Sequence, residues 1–275
     1  MRLGYNTNGF AHHSLDDALV ILAELGYRAA AITPDVHHLP PSTPATRLRA
    51  VRRRLEELDL APVVETGARF VLDPRRKHRP NLLDADAAAR RVRLDFLTRC
   101  AEIAAGIGAP LVSIWAGVLP PDTPEADAWT HLTDGVAELC RRAAALGVRV
   151  AFEPEPGMFV ESLEQWARLR AAVDSPALGL TLDVGHVPCT ESIPPAEAIR
   201  RHGSELLNVH LDDVRGGVHD HLQIGEGEID WGATLAALRD ARFEGVASVE
   251  LSRHSHAAPE AARTALERLR SYLAP

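Results

Sequence analysis

The chain is short of lysine and cysteine, and each shortage argues against a class of chemistry. Lys77 is the only lysine among 275 residues, and it lies in the basic segment 75–79. Schiff-base catalysis needs a lysine in a desolvated pocket, so a lysine-dependent aldolase is not expected. The three cysteines, Cys100, Cys140 and Cys189, lack the spacing of metal ligands. The first two fall in helical patterns, where we expect buried thiols.

The chain also lacks a net positive charge and long apolar runs, and it is poor in aromatic residues. Its net charge is −8 and its aromatic content is 5%, whereas proteins that bind nucleic acids usually present basic faces and stacking platforms. No stretch reaches the roughly 20 apolar residues needed to cross a membrane, and residues 1–5 do not resemble a signal peptide. We therefore expect a cytoplasmic protein with neither nucleic-acid nor membrane partners.

What the chain does have is a regular alternation of short apolar strands with amphipathic helical segments. This alternation predicts that residues 1–275 form a single α/β domain, a (β/α)8 TIM barrel, for which about 250 residues is typical. A doubly wound open sheet is the alternative, but eight strand–helix units fit barrel closure better. No glycine-rich dinucleotide loop follows a strand. The predicted strands are Leu3–Asn6, Ala29–Thr33, Ala61–Glu65, Leu111–Trp115, Val148–Glu153, Leu178–Asp183, Leu206–His210 and Val246–Glu250.

Capping residues mark several helix boundaries. Ser14, followed by acidic residues, predicts the start of the first helix, and Gly26 predicts its end. Gly108 and Gly147 predict the ends of later helices, because glycine tolerates the left-handed conformation that ends a helix. Another helix is predicted after Ser162. Helices thus separate the predicted strands along the chain.

Four predicted strands end in polar side chains, about one strand-plus-helix unit apart. They are Glu153, Asp183, His210 and Glu250. In a parallel barrel the carboxyl ends of all strands open at one mouth, so we expect these side chains to converge there. Three carboxylates and an imidazole make a divalent-metal site, and mostly oxygen ligands favour manganese or magnesium. Ion pairing with arginines, or helix capping by Asp183, is the structural alternative.

Further polar residues follow two of these strand ends. His186 comes three residues after Asp183, across a turn that contains Gly185, so both side chains can reach one metal or substrate. Asp212 has the same strand parity as His210. It is expected either to add an oxygen ligand or to orient the imidazole.

Two more histidine pairs and a basic segment lie in predicted loops. His219 and His221 can both reach a site if the backbone is extended, either as ligands of a second metal or as hydrogen-bond partners of substrate hydroxyls. A solvated loop is the alternative. His254 and His256 line the predicted rim, as substrate contacts or as exposed polar residues. The basic residues of the segment 69–79 are Arg69, Arg75, Arg76, Lys77 and Arg79. They are expected to receive a substrate phosphate or carboxylate. The alternative is that the segment is a solvated loop or a subunit contact.

Taken together and in this order, these motifs resemble the sugar phosphate isomerase/epimerase superfamily of xylose isomerase-like TIM barrels, which also contains endonuclease IV. The resemblance covers essentially the whole chain. It is carried by Glu153, Leu182–His186, Val209–Asp212, His221 with Gly225–Gly227, and Val249–Glu250. Each motif is weak by itself, whereas the ordered set is specific for the superfamily and not for one substrate.

The resemblance implies roles for particular residues. In ketose epimerases of this superfamily, the residues matching the four strand-end positions hold a divalent metal, often manganese. The residues matching Glu153 and Glu250 also transfer the proton, and the one matching His186 contacts the substrate. An arginine usual in these epimerases has only Arg215 as its counterpart here, one residue out of register.

The leading hypothesis is a metal-dependent isomerase or epimerase that acts through an enediolate. Its substrate is expected to be a sugar, a sugar phosphate or a polyol-derived hydroxycarbonyl compound, with Glu153 and Glu250 removing and returning a proton. Manganese is the expected metal, with zinc, cobalt or magnesium as alternatives. Relatives suggest a homodimer or homotetramer. The expected substrate contacts are His186, His221, Arg215 and His256.

Three other functions are weighed against this hypothesis. A metal-dependent dehydratase of the inosose or dehydroshikimate type would use the same base to expel a β-hydroxyl. An abasic-site endonuclease is disfavoured because Val64–Gly67 and Ile114–Gly117 lack the histidines that endonuclease IV uses after its third and fourth strands. A catalytically silent metal-binding barrel is the remaining alternative.

Overall fold

The structure, a computed structural model, describes residues 1–67 and 69–273. Its strands are β1 Arg2–Asn6, β2 Ala29–Ile32, β3 Ala61–Glu65, β4 Leu111–Ile114, β5 Arg149–Phe152, β6 Leu178–Asp183, β7 Leu206–Leu211, β8 Asp213–Arg215, β9 Val218–Leu222 and β10 Val246–Val249. Within the described ranges, eight of these form a closed barrel in the order β1-β10-β7-β6-β5-β4-β3-β2. The predicted (β/α)8 TIM barrel is confirmed.

Helices connect the strands, with boundaries set largely by the capping residues. They are α1 Leu15–Leu25, α2 Ala45–Glu57, α3 Ala87–Ile107, α4 Glu125–Ala145, α5 Leu163–Val173, α6 Val187–Thr190, α7 Pro195–His202, α8 Trp231–Asp240 and α9 Ala258–Leu273. The Ser14 side chain accepts a hydrogen bond from the backbone N–H of Asp17, and Gly26 ends α1 with φ of +100°. Ser162 and Gln165 form a reciprocal capping box at α5. Over the ranges that the structure covers, each helix is too short or too polar to traverse a lipid bilayer.

The described residues group into two compact units. The first comprises residues 1–32, 53–62 and 180–273, and the second comprises 33–52, 63–67 and 69–179. In the first unit β1 pairs with β2 and β10, and β7 pairs with β10 and β6. The register sets Ser248 beside His210, and His210 beside Asp183. The carboxyl ends of β6, β7 and β10 therefore lie side by side.

In the second unit β4 pairs with β3 and β5, and aromatic rings pack around these strands. Trp166 stacks on Phe152 with ring centroids 6.0 Å apart. Arg93 is only 1% exposed, and its guanidinium carbon lies 5.0 Å from the ring centroid of Trp115. The ring of His78 meets Trp115 edge-on at 4.8 Å. Arg93 and His78 are therefore basic side chains held against aromatic carbon.

The antiparallel hairpin of β8 and β9 lies where the sequence predicts only an extended loop. Gly216 and Gly217 form its turn with φ of +60° and +69°, as in the two-residue turns that join hairpin strands. Arg215 pairs with Val218 on either side of that turn. A Gly-Gly pair flanked by Val214 and Val218 is the sequence signal that indicates this hairpin.

Asp213, at the start of β8, organises the segment that follows the hairpin. It is fully buried, and its carboxylate accepts hydrogen bonds from the backbone N–H groups of Val214, Gly225 and Ile229 at 3.1, 2.8 and 3.2 Å. The indole N–H of Trp231 donates to the same carboxylate at 3.0 Å. One carboxylate thus ties the hairpin to the start of α8.

Candidate metal centre

Three of the four strand-end side chains lie in the first unit, and the structure brings them together. Asp183 ends β6, His210 lies in β7 and Glu250 directly follows β10. His210 Nδ1 lies 2.9 Å from Glu250 Oε2 and 4.0 Å from Asp183 Oδ2. The backbone N–H of Glu250 donates to the carbonyl of Leu211 at 3.0 Å. The hydrogen-bond ladder between β7 and β10 therefore continues to Glu250 and fixes its backbone.

Asp183 carries a buried oxygen that accepts no hydrogen bond from the part of the chain that the structure describes. The residue is 1% exposed, and its Oδ1 accepts a hydrogen bond from the backbone N–H of Gly185 at 2.7 Å. Its Oδ2 is buried and accepts no hydrogen bond from the described residues; His186 Nε2 lies 3.5 Å away. Burial, followed by the negative charges of Asp212 and Glu250, raises the pKa of Asp183 well above its ordinary value. This carboxylate is short of positive charge.

Different donors hold the two carboxylate oxygens of Glu250. Asn8 Nδ2 donates to Oε1 at 2.7 Å, and His210 Nδ1 faces Oε2 at 2.9 Å. Asn208 Nδ2 lies 3.1 Å from His210 Nε2. Burial raises the pKa of Glu250, but the charge of His210 and the hydrogen bonds from His210 and Asn8 outweigh it. The pKa of Glu250 therefore lies well below its ordinary value.

The chemistry of these donors fits a divalent cation. Two carboxylates and one imidazole nitrogen are ligand types that manganese, magnesium, cobalt and zinc accept. His210 Nδ1 is the ring nitrogen that faces both carboxylates. A cation at this position would supply the positive charge that Asp183 Oδ2 lacks. The donor set and the unsatisfied oxygen therefore fit a divalent cation.

Three histidines form a second cluster beside Asp183. The Nε2 atoms of His186 and His219 are 3.0 Å apart, and the ring centroids of His219 and His221 are 4.4 Å apart. His221 Nδ1 lies 2.5 Å from Asp212 Oδ2. The carboxylate of Asp212 thus lies against the imidazole of His221. Burial, followed by the charge of His221, lowers the pKa of His219 to about 4, so its ring is neutral near pH 7.

Glu153 lies in the second unit, directly after β5. It is 5% exposed, and its backbone N–H donates to the carbonyl of Ile114 at 2.8 Å. This bond extends the ladder between β4 and β5 and fixes the backbone of Glu153 at the strand end. Glu155, which has the same strand parity as Glu153, donates its backbone N–H to the carbonyl of Val160 at 3.1 Å. The assignment of Glu153 as a fourth ligand stays a prediction.

Arg215 and His256 are both exposed. Arg215 Nη2 donates to the backbone carbonyl of Glu226 at 2.5 Å. His256 lies in the 3-10 helix Ser252–Ala257, with its ring centroid 6.4 Å from that of His254. Substrate contact by Arg215 and His256 stays a prediction.

Acidic residues pair with several arginines of the basic segment 69–79. Arg79 and Asp84 are 2.7 Å apart, and Arg76 and Asp73 are 2.6 Å apart. These pairs favour the interpretation that the segment is a structured loop over the interpretation that it receives a substrate anion.

Asn8 is absent from the residues that the sequence indicates, yet it contacts Glu250. It lies in the 3-10 helix Thr7–Phe10, directly after β1. A signal was available, because Asn6 and Asn8 follow the apolar end of a strand just as the candidate ligands do.

Comparisons with known proteins bear on the fold and on the class of reaction. The sequence profile of a family described as xylose isomerase-like TIM barrel matches residues 19–272. Fructoselysine 3-epimerase of Shigella flexneri is 25% identical over 280 residues, which cover 99% of this chain and 98% of that protein. Inosose dehydratase of Geobacillus kaustophilus is 25% identical over 226 residues, which cover 78% of this chain and 65% of that protein. A solved structure described as IOLI protein with a binding zinc atom has a TM-score of 0.79 and 20% identity, and the match covers 99% of this chain and 98% of that one.

Proposed function

This chain belongs to the family of xylose isomerase-like TIM barrels, and from that premise we propose that it is a metal-dependent isomerase or epimerase. Its substrate is a hydroxycarbonyl compound derived from a sugar or polyol. The observation that carries the proposal is the meeting of His210 and Glu250 with a buried Asp183 oxygen that accepts no hydrogen bond from the described residues. The similarity to a sugar 3-epimerase over nearly the whole chain supports the reaction class.

The proposed metal ligands are Glu153, Asp183, His210 and Glu250. Glu153 is included because it directly follows β5, just as Glu250 directly follows β10. When bound, a divalent cation supplies Lewis-acid stabilisation of the negative charge that develops on the substrate oxygens. Manganese is proposed, and the zinc atom named for the similar solved barrel keeps zinc among the alternatives.

Glu250 and Glu153 are proposed to move the proton. Glu250 is suited to act as a base because the hydrogen bond that Asn8 donates to Oε1 stabilises its ionised form. Its carboxylate takes a proton from the carbon beside the substrate carbonyl, and the electron pair of the broken C–H bond forms the double bond of an enediolate. Glu153 then returns a proton to the opposite face of the same carbon, which gives the epimer. Return to the neighbouring carbon gives an isomer instead.

Histidines beside the centre are proposed to bind the substrate. His186 and His221 would hydrogen-bond substrate oxygens, with His221 oriented by its contact with Asp212. Arg215 and His256 are proposed as further contacts from the rim. For Arg215 this requires its guanidinium to leave the carbonyl of Glu226.

Isotope exchange tests the proposal directly. The protein is stripped with a chelator and reloaded with Mn²⁺, Mg²⁺, Co²⁺ or Zn²⁺. It is then incubated in deuterium oxide with ketoses, inososes and sugar phosphates. We expect metal-dependent incorporation of deuterium at the carbon beside the carbonyl. Glu153→Gln and Glu250→Gln should each abolish net turnover with little change in melting temperature, and full activity in either variant refutes the acid–base pair.

The similarity to an inosose dehydratase favours a second candidate function. The same base would form an enolate, and the substrate would then expel a β-hydroxyl instead of being reprotonated. The enone product absorbs ultraviolet light, so an absorbance increase with inososes distinguishes dehydration from epimerisation. Metal uptake without deuterium exchange or enone formation would favour a binding protein.

We also propose that residues 1–275 act as one domain in a homodimer or homotetramer. A single cooperative unfolding transition is expected. Size-exclusion chromatography with light scattering measures the oligomeric state, and a monomeric mass would contradict the assembly.

A further inference from the structure

The orientation of the Glu250 carboxylate depends on a residue outside the proposed ligand set. We propose that Asn8 is a positioning residue that holds Glu250 Oε1 through a donated hydrogen bond. The inference rests on the proposed role of Glu250 as ligand and base. The backbone of Glu250 is fixed by its N–H bond to Leu211, but its side-chain torsions still allow several carboxylate positions. The Asn8 amide, 2.7 Å from Oε1, selects one of them.

The two donors to Glu250 are not equivalent. His210 faces Oε2, and His210 is itself a proposed ligand. An imidazole nitrogen that binds a cation is deprotonated and no longer donates a hydrogen bond. Asn8 is outside the ligand set and its amide carries no charge, so its hydrogen bond to Oε1 is compatible with a bound cation. Asn8 is therefore the donor that keeps holding the carboxylate while the metal is bound and the proton is transferred.

Asn8 is in turn braced by the segment that follows Glu250. Ser255, in the 3-10 helix Ser252–Ala257, donates through its hydroxyl to the backbone carbonyl of Asn8 at 3.1 Å. The same hydroxyl accepts a hydrogen bond from the backbone N–H of Ala11 at 3.3 Å. Ser255 therefore ties the turn after β1 to the turn after β10. The chain that leaves Glu250 fixes the residue that orients Glu250.

The property that position 8 requires is the ability to donate a hydrogen bond to Glu250, and not the size of the side chain. An aspartate in place of Asn8 has nearly the same shape but offers an oxygen, and at 2.7 Å two facing carboxylates repel each other. An alanine removes the donor and leaves Oε1 without it. The pair Asn8→Asp and Asn8→Ala therefore separates a donor from a residue that only fills space.

The test uses the full-length protein reloaded with Mn²⁺. Outer hydrogen-bond partners of metal ligands typically contribute roughly 10- to 100-fold to activity or metal affinity. We expect both Asn8 variants to lose kcat in that range with a smaller change in KM and a wild-type melting temperature. Ser255→Ala should lose less. The control Ser271→Ala, whose exposed hydroxyl donates to the carbonyl of Arg268 in its own helix, should lose nothing. Wild-type kcat in Asn8→Asp would overturn the inference, because a packing role predicts that result.

A second readout keeps this inference separate from the proposed function. If the wild-type protein exchanges no deuterium with any substrate, the proposed function fails. The role of Asn8 is then decided by Mn²⁺ titration calorimetry and by crystal structures of wild-type protein and Asn8→Ala. A rotated Glu250 carboxylate with Mn²⁺ affinity weakened roughly 10-fold or more supports positioning. An unmoved carboxylate with unchanged affinity overturns it.

Discussion

Asp183 and Asp213 are two buried aspartates of the first unit, 1% and 0% exposed, in opposite surroundings. Asp213 accepts hydrogen bonds from three backbone N–H groups and one indole. Asp183 accepts one, from Gly185, and the charges that raise its pKa belong to Asp212 and Glu250. The same side chain is thus fully satisfied at one position and short of positive charge at the other.

The difference separates a carboxylate that stabilises the fold from one that costs stability. A buried carboxylate is tolerated when donors replace the water that it has lost, as at Asp213. At Asp183 burial and neighbouring carboxylates disfavour the charged form, which is typical of residues kept for binding or catalysis. Asp183 should therefore affect metal binding and Asp213 should affect folding. Variants of each residue test whether the two roles are separate.

The largest expected effect is that of Asp183→Asn on turnover. We expect the loss to exceed roughly 100-fold, because a direct ligand contributes more than the outer partners whose removal costs up to that amount. The melting temperature of the metal-free variant should equal or exceed that of the wild type, since a desolvated charge is removed. Turnover assays, the metal content of the reloaded variant and thermal unfolding of the metal-free variant test these expectations. A clear loss of stability in Asp183→Asn would place Asp183 with the structural carboxylates.

Asp213→Asn should give the converse result. The amide that replaces one oxygen turns an acceptor into a donor and faces the N–H groups that Asp213 now satisfies. We expect a loss of roughly 2–3 kcal/mol in the free energy of unfolding, measured by urea titration. The folded variant should still bind one equivalent of Mn²⁺. Loss of metal binding by folded Asp213→Asn would show that the two aspartates are not separable.

Trp231→Phe tests the structural role of Asp213 through one of its hydrogen bonds, and a smaller effect is expected. It removes the indole donor 3.0 Å from Asp213 Oδ2 and should cost about 1.5 kcal/mol or slightly more. In the double variant Asp213→Asn/Trp231→Phe the two losses should not add, because both substitutions remove the same contact between Asp213 and Trp231. Strictly additive losses would mean that Trp231 stabilises the protein by packing alone.

The barrel was predictable because its signals are local and repeated. The predicted strand Ala29–Thr33 is observed as Ala29–Ile32, and Ala61–Glu65 is observed unchanged. Apolar runs and capping residues such as Ser162 act over a few residues, so the sequence carries them directly. The β8–β9 hairpin was missed because its strands are short and largely polar, which leaves Gly216–Gly217 as its main signal.

The candidate site was predictable in membership but not in its hydrogen bonds. Strand-end placement indicated Asp183, His210 and Glu250, because the barrel topology brings strand ends together. The contact between Asn8 and Glu250 joins residues 242 positions apart, and neither motif nor spacing indicates which amide reaches which oxygen. The pairing of Asp212 with His221 was missed for the same reason.

The last prediction concerns acid stability and involves a histidine of the second unit. Burial, followed by the charges of Lys77, Arg93 and Arg69, lowers the pKa of His78 to about 3. An unfolded histidine titrates near 6.5, so between these values the unfolded state binds a proton that the folded state does not. His78 therefore contributes nothing to the pH dependence above about 6.5, and the free energy of unfolding falls as the pH drops through this window.

His78→Asn should remove this part of the acid dependence and leave the part that arises from other groups. The variant loses packing on Trp115 and should be less stable at pH 7.5, yet it should lose less stability than the wild type between pH 6.5 and 4. Urea midpoints at three pH values measure the two slopes. His12→Asn, at an exposed position, is the matched control and should follow the wild-type slope. Parallel curves for His78→Asn and the wild type would assign the acid dependence to other groups, with the buried carboxylates as the first to test.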